Sequence, residues 1–378
     1  MFYLILFLAI TLPLLFKGKY STLKIAFVLL FIPWGLHYNM TQDWSGNLLS
    51  WNIINNSTSE VVYSHGDTAY ELFYTFLVRL SEPVGFMGFQ ILIAIFALLI
   101  LYIFIKKYVT PNYYWFSIYI LMILPGYALL YINSIRQTIA LSFTVLASMM
   151  MMNSFRDYRK ADVIKNLILA ILCIYLGANV HSSAYAAFLI IPIFFISKYL
   201  NEINVKFVLI ISNLLFFSRY FFDITQYQQF LAMHLEGSSV DGFLYTVQEL
   251  ENIENISIFE TLTYFVVLNL VVLYYNKLTT EMKYMGLLVC ISMLANGFLI
   301  NTLARVLMYF NVYLVFVAPK LLFHINNEKN PFLRRIKVPV LLILFAYTLF
   351  AFVRSTLTSQ YQSKWSNFET LFDAPFWF

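Results

Sequence analysis

Long apolar runs recur along almost the whole chain, and they constrain its fold more than any other feature. A few polar or charged residues separate each run from the next, as on either side of the run at 84–104. A helix needs about 20 mostly apolar residues to cross the hydrocarbon layer of a bilayer. With 61% hydrophobic and only 11% charged residues, the chain could not cover so much apolar surface in water. The sequence therefore predicts an all-α polytopic membrane protein.

The apolar runs predict twelve transmembrane helices in a single integral membrane domain that covers residues 1–378. We interpret the first run as a retained helix and not as a secretory signal, because Lys17 and Lys19 follow it instead of preceding it. The spans are expected near residues 2–16, 23–37, 84–104, 114–131, 135–152, 166–179, 183–199, 205–222, 259–276, 284–301, 305–322 and 337–353.

The basic residues predict how these helices are oriented, because cytoplasmic loops are enriched in lysine and arginine. With both termini placed outside, the inner loops hold 18 of the 24 basic residues, and five of the six that remain outside are arginines. Two long acidic outer loops then lie at about 38–83 and 223–258. In the first of them, the pattern from Asp67 to Leu80 predicts an amphipathic helix at the membrane interface.

Two of the outer arginines stand at the beginning of predicted helices, where the helix dipole already disfavours a cation. Arg136 lies one residue into the fifth span, in NSIRQTIALSF, with Gln137 beside it, and Arg305 opens the eleventh span, in NTLARVLMYF. Charged groups in spans often mark a substrate path, and a planar guanidinium binds phosphate through two parallel hydrogen bonds. The alternative is an arginine that snorkels to the lipid headgroups.

His181 and a pair of acids are the other candidates for chemistry. His181 stands at the outer end of the sixth span, in GANVHSSAYAAF. Its ring can act as a general base, bind a phosphate as a neutral hydrogen-bond partner, or be structural, and the serines after it can simply cap the next helix. Glu71 follows Asp67 by four residues on the predicted interfacial helix, so the two carboxylates share one face of that helix. They either form part of a site or simply make up the solvent-facing side of the helix.

Several familiar sites are missing from the sequence. It has no glycine-rich phosphate loop, no HExxH and no Cys/His cluster, and its two cysteines, Cys173 and Cys290, both lie in apolar runs. We therefore expect no metal and no other cofactor. Apart from the lipid bilayer and a lipid-borne substrate, nothing in the sequence indicates a partner class such as nucleic acid.

Four short stretches, SIRQTIALSF, HSSA, YELFYTFLVRL and RVLMYF, resemble the EpsG-like branch of the Wzy-type O-antigen and exopolysaccharide polymerases. The resemblance covers most of the chain. It implies a metal-independent membrane glycosyltransferase that joins oligosaccharide repeat units carried on undecaprenyl diphosphate. It also implies a multi-pass protein of the bacterial inner membrane with its active site on the periplasmic or outer side, and it leaves room for a chain-length regulator as a partner.

The resemblance also implies roles for individual residues. It implies that Arg136 and Arg305 hold the diphosphate of the donor, and we add Gln137, beside Arg136, as a further candidate ligand of the diphosphate. His181 is then a candidate for the base, and Glu71 is the second catalytic candidate. The acids assigned to the acceptor glycan are Asp43 and Asp67.

Two other functions would require a similar set of membrane helices and charged residues. An O-antigen ligase uses the same donor but a lipid-A-core acceptor. A transporter of lipid-linked glycans or other solutes would also carry charges at membrane depth, but it would place them near the bilayer midplane. Here the polar residues stand at outer helix ends, which favours the polymerase.

Overall fold

The structure, a computed structural model, describes residues 10–13, 19–38, 42–56, 72–123, 134–155, 160–200, 202–218, 258–295, 301–331 and single positions from 335 to 346. Every regular element in these ranges is helical. Four helical segments among them are long and apolar enough to cross a membrane: Glu82–Tyr108, Ile135–Asn153, Lys160–Ala178 and Ser182–Tyr199. The chain is therefore a helical membrane protein, as the sequence predicted, whereas the count of twelve spans stays a prediction.

The helices of the first half are numbered in chain order. They are α1 (Tyr20–Gly35), α2 (Gln42–Asn56), α3 (Leu72–Leu80), α4 (Gly85–Tyr108), α5 (Tyr114–Ile123), α6 (Ile135–Asn153) and α7 (Lys160–Ala178). Short 3-10 turns, Glu82–Val84 and Pro111–Tyr113, precede α4 and α5.

The second half continues in the same way. Its helices are α8 (Ile190–Tyr199), α9 (Val205–Ser218), α10 (Ile258–Tyr274), α11 (Thr280–Ala295), α12 (Asn301–Asn311) and α13 (Leu314–Asn326). A 3-10 helix, Ser182–Leu189, leads directly into α8, and a 3-10 turn, Tyr275–Lys277, follows α10.

The segment between α1 and α4 contains one helix that the sequence did not predict. A helix is present at the predicted place as α3, while Asp67 to Glu71 lie outside the described ranges and the position at the membrane interface stays a prediction. The additional helix, α2, is rich in polar residues, and it buries Trp44 and Ile54 against the rest of the protein. Tertiary packing of a few apolar side chains thus supports a helix whose composition gives little hydrophobic signal.

A second apolar cluster, separate from the main core, joins α2 and α3, which belong to the first predicted outer loop, to the bundle. We call it the outer cluster, and its buried members are Trp44, Ile54, Tyr74, Val78, Phe86, Phe89, Ile135, Ile139 and Val180. A hydrogen bond from Trp51 Nε1 to Ser81 Oγ, 3.0 Å long, also ties α2 to the end of α3. The outer cluster therefore places α2 and α3 against the first turns of α4 and α6.

Helices α6 and α7 pack closely because of one glycine. A Cβ atom at Gly177 would lie 3.2 Å from the carbonyl oxygen of Ala140 and 3.3 Å from Cβ of Phe143. Real Cβ atoms rarely have neighbours so close, and the hydrogen atom of glycine leaves the room that this packing needs. The close approach fixes the end of α7, from which the chain turns into His181.

The predicted span at 305–322 is divided in the structure. A turn at Val312 and Tyr313 separates α12 from α13. Within α13, Pro319 has no N–H for the carbonyl of Val315, and the hydroxyl of Ser117 donates to that carbonyl at 2.8 Å. Helix α5 thus supplies the hydrogen bond that the proline removes.

The described helices have one basic end and one end that carries the candidate residues. Phe86 of α4 and Ile135 of α6 share the outer cluster, while Lys107 Nζ at the other end of α4 donates to Asn153 Oδ1 of α6 at 2.7 Å. These two helices therefore run in the same direction. Arg136 lies at the end of the bundle opposite to Lys107.

The basic end also holds an ion pair between two connecting segments. Lys277 Nζ lies 3.0 Å from Glu328 Oε2, and the Glu328 side chain is only 6% exposed. Hydrogen bonds from the backbone N–H of Asn330 and from Lys277 lower the pKa of Glu328 to about 2. The pair thus holds the turn after α10 against the end of α13.

Candidate functional site

Arg136 is the second residue of α6, as the sequence predicted. Its guanidinium carbon lies 5.8 Å from the centre of the Tyr74 ring, which α3 supplies. Tyr74 is 3% exposed and belongs to the outer cluster, so its ring has a fixed position. The aromatic face stabilises the cation and holds it at the start of α6. Gln137, the next residue, is buried.

His181 lies in the tight connection between α7 and the 3-10 helix. Its backbone N–H donates to the carbonyl of Gly177 at 3.0 Å, which continues the last turn of α7. Its side chain then caps the next helix, because Nδ1 accepts the backbone N–H of Ser183 at 3.3 Å. The sequence suggested the serines as caps, whereas the structure assigns the cap to the histidine. The last turn of α7 thus fixes the backbone of His181, and the backbone N–H of Ser183 holds its imidazole.

A serine and a tyrosine connect His181 to α12. Ser183 Oγ lies 2.8 Å from His181 Nδ1 and 3.1 Å from Tyr309 Oη. Tyr309 is 1% exposed, and it lies four residues after Arg305 on α12. Positions four residues apart share one face of an α-helix. The helix that carries Arg305 thus packs at the His181 turn, while the Arg305 side chain lies outside what the structure describes.

The fold brings these three elements to the same end of the bundle. Ile135, next to Arg136, and Val180, next to His181, are both members of the outer cluster. Tyr309 then joins α12 to the same place through Ser183. A fixed guanidinium and an oriented imidazole at one end of a membrane bundle form an arrangement that suits an anionic group such as a phosphate.

The acids predicted for catalysis and for the acceptor are not placed by the structure. Glu71 and Asp67 lie outside the described residues. Asp43 is the second residue of α2, and only its backbone is described. Because α2 packs in the outer cluster, the Asp43 position belongs to the same end of the molecule as Arg136. The roles of the three acids stay predictions.

The structure also shows a buried polar pair that the sequence analysis did not select. Gln90 Nε2 donates to the carbonyl of His37 at 2.9 Å and to that of Gly35 at 3.2 Å, and it lies 3.3 Å from His37 Nδ1. Both side chains are buried, at 2% exposure for His37 and 3% for Gln90. His37 meets the criterion that selected His181, a histidine at the outer end of a predicted span, so the sequence did contain the signal.

A small cavity lies beside this pair. Its volume is about 10 Å³, which is enough for one water molecule, and its polar lining comes from His37, Gln90 and Thr138. Gln90 Oε1 is buried and accepts no hydrogen bond from the residues that the structure describes. Thr138, which lies in the first turn of α6 two residues after Arg136, thus borders this cavity.

Comparison with known proteins gives one finding. A family model described as the EpsG family matches residues 20–369. No curated protein and no solved structure matches the chain. The family match includes α1 to α13 and therefore every candidate residue discussed above. The chain belongs to the EpsG family, and EpsG-like proteins are polysaccharide polymerases and glycosyltransferases of the Wzy type.

Proposed function

We propose that this protein is a polymerase that joins oligosaccharide repeat units carried on undecaprenyl diphosphate at the outer face of a bacterial inner membrane. The observation that carries the proposal is the meeting of the Arg136 helix, the His181 turn and the Arg305 helix at one end of a bundle of EpsG-family sequence. A lipid-linked diphosphate enters from the membrane. A cation at the start of α6 is well placed to receive it.

The distribution of basic residues supports an outward-facing site. Lys106 and Lys107 end α4 at the end of the bundle opposite to Arg136, and the Lys277–Glu328 pair belongs to a connection on the predicted inner side. Lysine-rich ends are cytoplasmic by the positive-inside rule. We therefore propose twelve spans with both termini outside and with the long outer segments on the side of Arg136.

The reaction transfers a glycan from one lipid carrier to the end of another. The bond between C1 of the donor sugar and the diphosphate oxygen breaks, and its electron pair stays on that oxygen. A hydroxyl oxygen of the acceptor forms the new bond to C1, and its proton passes to a base, for which His181 and Glu71 are the candidates.

The leaving diphosphate gains negative charge as the bond breaks. The guanidinium groups of Arg136 and Arg305 stabilise this charge, and a guanidinium that is held in place beforehand does not have to reorganise in the transition state. The ring of Tyr74 beside Arg136 limits the motion of that guanidinium. These groups supply the charge that a metal ion would otherwise supply, and we therefore propose a metal-independent reaction.

Deleting the gene and separating the surface polysaccharide on a gel tests the proposal. We expect the ladder of long chains to disappear while single repeat units remain. Loss of all modified lipid A would indicate a ligase instead, and accumulation of lipid-linked units facing the cytoplasm would indicate a transporter. Returning the wild-type gene should restore the ladder.

A further inference from the structure

The contacts of His181 fix which of its ring nitrogens carries the proton. A backbone N–H can only donate a hydrogen bond, and that of Ser183 lies 3.3 Å from His181 Nδ1. Nδ1 is therefore the acceptor nitrogen. In a neutral imidazole the other nitrogen then carries the hydrogen, so His181 presents an Nε2–H.

The hydroxyl groups beside Nδ1 favour the same tautomer. Tyr309 is 1% exposed, so its hydroxyl needs an acceptor within the protein. When Tyr309 donates to Ser183 Oγ at 3.1 Å and Ser183 donates to Nδ1 at 2.8 Å, every hydrogen points toward an acceptor. In the reverse order, an Nδ1–H would face the backbone N–H of Ser183. Repulsion between two donors disfavours that arrangement.

We propose that Ser183 and Tyr309 are positioning residues that fix His181 as an Nε2–H donor, and that this donor binds an oxygen of the lipid-linked diphosphate. This inference rests on the proposed function and assigns the imidazole to the leaving group. As the bond from C1 to the diphosphate oxygen breaks, Nε2–H and the guanidinium groups stabilise the electron pair left on that oxygen. The proton of the acceptor hydroxyl then passes to a carboxylate, for which Glu71 is the candidate.

The two roles of His181 predict different dependences of the rate on pH. A base at His181 loses activity as the pH falls through the ring pKa, because the protonated ring has no lone pair. An Nε2–H is present in the neutral ring, which the backbone N–H of Ser183 beside Nδ1 favours, and it is also present in the protonated ring. We therefore expect polymerisation rates that do not fall between about pH 8 and pH 5.5, a range that lies above the usual pKa of a glutamate.

Nitrogen NMR of the full-length protein in lipid bilayers tests the tautomer directly. The chain has five histidines, so ¹⁵N-histidine labelling gives few signals, and the signal that disappears in His181→Gln is assigned to His181. We expect an unprotonated Nδ1 and a protonated Nε2 at pH 8. We expect Tyr309→Phe to shift the Nδ1 signal.

Tyr313→Phe is the matched control. Tyr313 lies four residues beyond Tyr309, in the turn between α12 and α13, is also fully buried, and bonds through its hydroxyl to Ser148 and not to Ser183. Both variants lose one buried hydroxyl, so a purely structural effect should appear in both. We expect Tyr309→Phe to lower kcat roughly fivefold to tenfold, which is the effect of one hydrogen bond, while Tyr313→Phe stays within about twofold of wild type.

Substitution of His181 itself separates the two roles again. The side-chain amide of glutamine can donate an N–H but cannot act as a base, so His181→Gln should keep more activity than His181→Ala. A protonated Nδ1, a rate that falls with the ring pKa, or equal effects of the two tyrosine variants would overturn the inference. Absence of polymer from the wild-type protein would instead overturn the proposed function and the diphosphate role, and the NMR result would still report the tautomer.

Discussion

Arg136 is a cation at a position where a positive charge is unfavourable. The start of a helix disfavours a cation, and the membrane disfavours any charge that has no partner. The Tyr74 ring stabilises the guanidinium from one side at 5.8 Å. A charged residue at such a position indicates a substrate path and not a role in the fold. Arg305 was predicted to open its helix, but α12 begins at Asn301, so Arg305 is the fifth residue of a helix that meets the His181 turn.

Replacing Arg136 tests this view at the level of one side chain. We expect Arg136→Ala to lower polymer formation at least about 100-fold, the usual effect of removing a donor that stabilises transition-state charge, with normal abundance in the membrane. Arg136→Lys should recover only part of the activity, because lysine keeps the charge but loses the two parallel hydrogen bonds. Gels of surface polysaccharide and immunoblots of membranes give the two readouts.

Arg79 is the matched control for this substitution. It is another outer arginine, at the end of α3, and its side chain is exposed. Arg79→Ala should leave the ladder intact. Long polymer from Arg136→Ala at normal abundance would remove Arg136 from the diphosphate site.

Gln90 has a structural effect that is measured separately from activity. Its amide nitrogen donates to two carbonyls at the end of α1. Gln90→Leu leaves both without that donor, and we expect the free energy of unfolding to fall by about 1–3 kcal/mol. Thermal unfolding in detergent gives the comparison, with Ser142→Ala as the control, since among the described residues Ser142 bonds only to the Thr138 carbonyl of its own helix. Equal midpoints for the two variants would contradict the structural role of Gln90.

At the level of helices, the close packing of α6 on α7 positions His181. Gly177 lies one turn before His181 and has no room for a side chain near Ala140. Gly177→Val should push α7 away from α6 and reduce activity more than tenfold, because small displacements at a site have large effects on rate. Gly46→Ala is the control, since a Cβ atom there has no neighbour within 4 Å. Normal activity of Gly177→Val would show that this packing does not position the site.

The sequence predicted helices well where the apolar signal was strong. The predicted starts of α4 and α6 agree with the structure within a few residues, because long apolar runs have clear limits. Helix α2 was missed, since it depends on packing of Trp44 and Ile54 and not on its own composition. The turn within the predicted span at 305–322 was missed because one polar residue, Asn311, stands between two apolar runs and does not by itself indicate a break in a span.

The site was predicted only in part for a similar reason. Arg136 and His181 stand out in the sequence as polar residues at helix ends. Tyr309 is an aromatic residue among many, and its contact with Ser183 joins positions that are 126 residues apart. No local pattern indicates such a contact. Only the packing of α12 on the 3-10 helix reveals it.

For the whole molecule, the basic end and the site end predict the orientation in the membrane. Asn52 of α2 and Glu202, in the connection between α8 and α9, are both exposed and lie on opposite predicted sides. In a variant without Cys173 and Cys290, a cysteine at Asn52 should react with an impermeant reagent in intact cells. A cysteine at Glu202 should react only after the cells are opened. The reverse pattern would invert the topology and place the site on the cytoplasmic side.

Reconstitution of the purified protein tests the central proposal most directly. The full-length protein is placed in liposomes with undecaprenyl-diphosphate-linked repeat units as the only substrate, and the products are separated by length. We predict a ladder of joined repeat units, with one undecaprenyl diphosphate released for each unit added. Units that cross the bilayer without being joined, or that stay single while the protein remains folded, would contradict the assignment as a polymerase.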